Sequence, residues 1–178
     1  MHEPINCTTA GHGSWVHKSC HFLPEGKPSS GGNEIQIEYY LPYKKFVPAM
    51  FKLYENRSIF IDLVQVTEFR MMAKDGIPMS QAKDDAVVGI HWTIVFDHTA
   101  KKLAAIHACV PKLEAVLKEF DARPHYGKLF GSSGNEFESM FGKDLLKLRQ
   151  LMQKHDPKGR LHNAFIDKYI LNRKLAKL

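Results

Sequence analysis

The chain has 178 residues, 44 % of them hydrophobic and 25 % charged, which suits a soluble domain with a sizeable core and excludes overall disorder. Its formal charge of +6 is spread along the chain, and only the 171–178 tail gathers lysine and arginine, so the clustered basic face of a nucleic-acid binder is not expected. Three scattered cysteines imply no disulfide framework, no apolar run approaches the ~20 residues of a membrane span, and the polar, His-rich start is no signal peptide, so a cytoplasmic protein is expected.

Residues 1–33 are dense in Gly, Pro, Ser and Thr without periodicity and read as an extended lead-in segment. His12, His17, Cys20 and His21 fall in it. Their spacing matches no closed structural-zinc pattern, so no metal is expected there. Strict alternation follows over 34–41, with Ile35, Ile37, Tyr39 and Leu41 on one face and Glu34, Gln36, Glu38 and Tyr40 on the other, which predicts a strand with one buried side. A helix is predicted over 43–56, its apolar stripe formed by Val47, Met50, Phe51 and Tyr54.

The stretch 58–72 reads as one long strand, rich in Val, Ile and Phe and free of Gly and Pro. Phe60, Asp62, Val64, Val66, Glu68 and Arg70 would then share a face, which sets a carboxylate and a guanidinium side by side at its end. Residues 74–85 form a long loop with room for a ligand-facing role. A second strong strand over 87–97 puts Val88, Ile90, Trp92, Ile94 and Phe96 on one side and His91, Thr93 and Val95 on the other. A single inward His is usually a satisfied core residue, but His91 beside Thr93, opposite Glu68 and Arg70, makes four hydrogen-bonding groups on one face. Such a concentration is costly to bury without a ligand or water.

Helices are predicted over 99–120, bent at Pro111, and over 136–155, with a short strand or turn at 123–130 between them. A short mixed segment (161–170) and a basic tail close the chain. The order strand, helix, strand, strand, helix, short strand, helix is the split βαβ arrangement: an α+β fold, an antiparallel sheet with helices on one face, spanning 34–170. The other face would carry Glu38, Glu68, Arg70, His91 and Thr93, with nothing left in the chain to close it. A polar binding surface is the consequence. RNA is disfavoured, because sheet-face RNA binders display stacking aromatics where this face has charges and hydroxyls.

Arg123-Pro124-His125-Tyr126-Gly127-Lys128, followed about 30 residues later by 155–165 (His-Asp-Pro-Lys-Gly-Arg-Leu-His-Asn-Ala-Phe), resembles the C-terminal part of FAD-dependent sugar oxidases of the vanillyl-alcohol-oxidase superfamily. Thr67-Glu68-Phe69-Arg70 is similar to their Glu-x-Arg strand, His91-Trp92-Thr93 to their His-x-Thr strand, and 28–39 to their entry strand. The alditol (xylitol) oxidases and the aldonolactone oxidases, such as gulonolactone and arabinonolactone oxidase, look most similar, and Gly127 before Lys128 favours the alditol branch.

The resemblance implies a substrate, or cap, domain whose sheet lies over a flavin and whose polar face holds a polyol or sugar lactone. Glu68, Arg70, His91, Thr93 and Lys128 would line the substrate site. Arg70, His91 and Lys128 would be catalytic: the two cations stabilise negative charge as FAD accepts hydride, and His91 or Glu68 receives the hydroxyl proton. Lys128 and Asn163 would lie near the flavin. The partner implied is an N-terminal FAD-binding domain, with O2 the expected acceptor, and no such domain is written in these 178 residues. This chain by itself is therefore expected to oxidise nothing. The rival reading is a free-standing polyol-binding module.

Overall fold

The alternation of 34–41 becomes β1 (Glu34–Pro42), whose Ile37, Tyr39 and Leu41 are buried in the core. β1 pairs antiparallel with β3 (Val87–Val95) on one side and with the two-residue β4 (Arg123–Pro124) on the other; β2 (Val66–Met72) pairs antiparallel with β3. The sheet order β2-β3-β1-β4 is that of a split βαβ fold, as the order of elements predicts. These statements rest on a computed structural model that describes residues 33–173. The 1–32 part of the lead-in segment, with His12, His17, Cys20 and His21, lies outside the described residues, as does the tail from 174.

Helices α1 (Phe46–Glu55) and α2 (Ala100–Lys118) pack on one face of the sheet. Their Ala49, Leu53, Ile106, Val110, Leu113 and Leu117 meet Ile37, Tyr39, Leu41, Ile90, Trp92 and Ile94. Thr99 caps α2 by accepting from the Lys102 N–H, and Pro111 lies within the helix. Helix α3 (Gly134–His155) starts at a Ser133–Glu136 capping box and breaks its helical geometry at Gly142, whose φ of 43° is cheap only for glycine. Its Phe137, Phe141 and Leu145 build a second core with Tyr169 and Ile170 of a closing π-helical turn (Ile166–Ile170).

Two predicted elements are corrected. The strand expected over 58–72 begins only at Val66; Arg57–Ile59 is a 3-10 turn, and further turns run through 63. The register explains it. β2 residue 66 pairs with Thr93, so β3, ending at Val95, offers no backbone to residues before 64. Phe60, Leu63 and Val64 curl against the core instead, Phe60 reaching the Trp92 ring at 5.9 Å, and Asp62 leaves the polar face.

The second correction concerns α1. Val47, Phe51 and Tyr54 are exposed, while Ala49 and Leu53, flanked by Phe46 and Met50, face the sheet. A helix apolar nearly all round offers two stripes, and the one carrying Ala49 wins because a small side chain lets the backbone approach the sheet.

Candidate active site

Register assembles the polar face. Three cross-strand rows run Glu68–His91–Glu38, Arg70–Gly89–Tyr40 and Val66–Thr93–Gln36, and side chains in opposed positions stand within bonding reach. Segment 123–130 supplies the next member. It follows β1 through β4, gives the His125 N–H to the Glu38 carbonyl (2.9 Å), loops out over 126–128, and rejoins by giving the Leu129 N–H to the Gln36 carbonyl (3.0 Å). The loop is pinned at both sides. The Tyr126 hydroxyl donates to the Met79 carbonyl while its ring packs on Phe137 and Phe141, and on the helix side Glu114 accepts from Tyr39 Oη, the Gly131 and Ser132 N–H groups and Ser132 Oγ. Lys128 is thereby aimed back at Glu38.

Glu38 is the hub. Its carboxylate accepts from the Lys128 ammonium and from Arg70 Nη1 (3.0 Å), and lies 3.1 Å from His91 Nδ1. Arg70 also donates through Nη2 to Glu68 (2.7 Å), Lys128 Nζ stands 2.6 Å from His91 Nδ1, and His91 Nε2 is 3.0 Å from Thr93 Oγ1. All five residues expected at a substrate site, Glu68, Arg70, His91, Thr93 and Lys128, thus belong to one connected network. Asn163 stands apart from it: its Oδ1 accepts from the Ile166 N–H at the start of the closing helical turn.

The open polar face expected from the pattern is corrected at its centre. Glu38 and His91 are 1 % and 2 % exposed, because the chain covers them with its own Arg70 and Lys128 side chains. Solvent reaches chiefly Arg70 and Glu68, whose side chains are 44 % and 48 % exposed, whereas Lys128 is 11 % exposed. What the site presents to solvent is therefore a guanidinium, a carboxylate and the edge of an ammonium. The long 73–86 loop turns elsewhere: Asp75 closes it on the Ile77 N–H and Ser80 Oγ, and Lys83 pairs with Asp144 of α3.

Electrostatics follow from this packing. Burial alone would raise the Glu38 pKa, but its close polar contacts, Lys128 foremost and then His91 and Tyr40, outweigh it and hold the carboxyl down at about 2. Burial and the Glu38 carboxylate push the Tyr40 phenol up. Burial likewise works against the Arg70 charge, and Glu68 and Glu38 more than restore it. Two carboxylates face two cations, so the network is balanced. Burial also lowers the pKa of His125, which stacks on Tyr40 at 6.1 Å and accepts the Gly127 N–H at Nδ1.

Gly89 makes room for this arrangement. A Cβ there would stand 2.8 Å from the Tyr40 ring and 3.1 Å from Glu38 Oε1. Gly89→Ala is expected to cost about 1–3 kcal/mol, the usual penalty of overpacking. Urea denaturation tests this, and a Tyr40→Leu background, which removes the ring edge, should relieve most of the loss.

Sequence reasoning placed Glu38 on the polar face but gave it no role. The signal available was its position between the core residues Ile37 and Tyr39, in the buried half of the strand. Among the described residues, no group of three or more His, Cys, Asp and Glu side chains is placed to hold a metal ion, and no helix is long and apolar enough to cross a membrane.

The family model for D-arabinono-1,4-lactone oxidase matches residues 34–169, which include the whole sheet and the network. The alditol oxidase of Streptomyces sp. (strain IKD472 / FERM P-14339) is 32 % identical over 154 residues, covering 86 % of this chain and 35 % of its own length. The chain thus spans about a third of that curated relative. With the matched region holding every strand among the described residues and every member of the Glu38 network, the chain belongs to the D-arabinono-1,4-lactone oxidase family.

Proposed function

We propose that this chain is the substrate-binding domain of a flavin-dependent oxidase acting on a sugar alcohol of the xylitol or sorbitol type, or on an aldonolactone. One observation carries the reading: a single buried carboxylate gathers Lys128, Arg70 and His91 into a charge-balanced network that opens to solvent at Glu68 and Arg70. Donors and acceptors so interleaved suit a neutral, hydroxyl-rich ligand, which both gives and takes hydrogen bonds.

The donor set also fits the reacting side of FAD, because Lys128 and Arg70 are fixed cations suited to an electron-rich ring. When bound, FAD would supply a two-electron acceptor for the hydride leaving the carbinol carbon. The residues here do the rest. Arg70 and Lys128 hold the substrate hydroxyls and stabilise negative charge developing on oxygen, Glu68 accepts a hydroxyl hydrogen bond, and Thr93 presents its hydroxyl beside His91. Lys128 and Asn163 are the residues assigned to the flavin side, residues 34–170 are the cap, and the FAD-binding domain is its partner, with O2 the acceptor.

The test is the absorbance spectrum of the full-length gene product, followed by peroxide release with xylitol and with a gulonolactone. A yellow protein that oxidises one of them supports the reading and selects the substrate class. A colourless full-length product overturns it. A free-standing polyol-binding module then becomes the account, since every member of the network lies within this chain, and calorimetric titration of the chain with xylitol would check it.

A further inference from the structure

His91 has two ring nitrogens and two kinds of neighbour. Nδ1 lies 2.6 Å from the Lys128 ammonium and 3.1 Å from Glu38; Nε2 lies 3.0 Å from Thr93 Oγ1. An ammonium carries three N–H donors and no lone pair. A proton on Nδ1 would therefore set two donors against each other at 2.6 Å, whereas a bare Nδ1 accepts from Lys128. Glu38 does not need the imidazole as a donor, because Lys128 and Arg70 already donate to it. What Glu38 does is hold the ammonium where His91 meets it.

We propose that Glu38 is the positioning residue of this site: by holding Lys128 against His91 Nδ1, it fixes His91 as the Nε2–H tautomer, a donor to Thr93 with no free lone pair. This rests on the reading of the network as a polyol site. There it has a definite consequence. His91 is not the acceptor of the substrate hydroxyl proton. It passes its hydrogen bond to Thr93 Oγ1, which leaves the threonine hydroxyl hydrogen free to donate to a substrate oxygen.

Nothing in the sequence pattern distinguishes this from the reverse tautomer, in which Nδ1–H donates to a carboxylate and Nε2 is a base. The depressed pKa of Glu38 is consistent with strong donation from Lys128, and Glu68, opposite His91 in the register, directs its own bonds to Arg70. The ring is 2 % exposed, so water does not compete for either nitrogen.

Long-range proton–nitrogen spectra of the chain labelled with 15N-histidine, at neutral pH, read the tautomer directly. The wild type is expected to favour Nε2–H at least about tenfold, as a charged donor at Nδ1 requires. In Lys128→Met the ammonium is gone and Glu38 remains, so the preference should invert to Nδ1–H. In Glu38→Gln, with Lys128 released, the two forms should become comparable. A wild type with Nδ1–H, or one tautomer shared by the wild type and Lys128→Met, overturns the proposal, and neither comparison needs the Gln variant to fold. In the flavin-loaded full-length protein, Glu38→Gln should lower kcat for xylitol more than it raises KM, and Glu38→Asp should recover part of the loss; a change in KM alone would overturn the positioning role. The spectra need neither flavin nor turnover, so the tautomer assignment and the oxidase reading fail separately.

Discussion

Glu38→Gln is expected to destabilise the domain by about 3 kcal/mol at neutral pH, since removing one partner of a buried ion cluster leaves the others uncompensated. Linkage gives the same magnitude. The folded-state pKa of about 2 lies below the ordinary 4.5, and at about 1.4 kcal/mol per pH unit the difference is worth about 3 kcal/mol. The sign is that of a depressed carboxyl: the contribution is complete above pH 4.5 and is lost as pH falls from there toward 2. The gap in stability between wild type and Glu38→Gln should therefore be widest at pH 7 and shrink at pH 3. Urea denaturation at both pH values measures it. An equal gap at the two would show that Glu38 is held by shape and not by charge, and would sink the hub assignment.

Lys128→Met is expected to lower kcat/KM for the preferred polyol by about 10²–10³-fold in the flavin-loaded full-length protein, the loss typical of one preorganised donor. The reason lies in the loop. Residues 126–128 leave the ladder between the His125 and Leu129 hydrogen bonds, so Lys128 is delivered to the site by a fixed backbone and not by a mobile chain end. Flavin absorbance per protein, measured in parallel, separates loss of substrate stabilisation from loss of cofactor. A variant with normal flavin content and activity within about threefold of wild type would remove Lys128 from the catalytic set.

Much of the site was legible because strands impose period two. Once 87–95 is a strand, His91 and Thr93 must share a face opposite Ile90, Trp92 and Ile94, and the same holds for Glu68 with Arg70 and for Glu38 with Tyr40. Helices were less decisive. In α1 the residues at 46, 49, 50 and 53 and those at 47, 51 and 54 are both apolar, and only contact with the sheet selects between them. The start of β2 was illegible for a related reason: 58–65 has strand composition, but a strand also needs a neighbour, and β3 ends too soon to be one.

What the amino-acid sequence determined by itself is therefore local: the strands in order, the polar side of the three long ones, the helices at 100–118 and 134–155, and the motif residues Glu68, Arg70, His91, Thr93 and Lys128. Tertiary structure alone decided which carboxylate is central. Glu38 and Lys128 are 90 positions apart, and Glu38 and Arg70 are 32 apart. Their meeting depends on register across β2, β3 and β1 and on a loop tied to Glu114 and Met79, contacts that no local periodicity encodes. Glu68 is the carboxylate conspicuous in sequence because it stands beside Arg70; Glu38 is the one that organises the site, because burial strengthens each charge it holds.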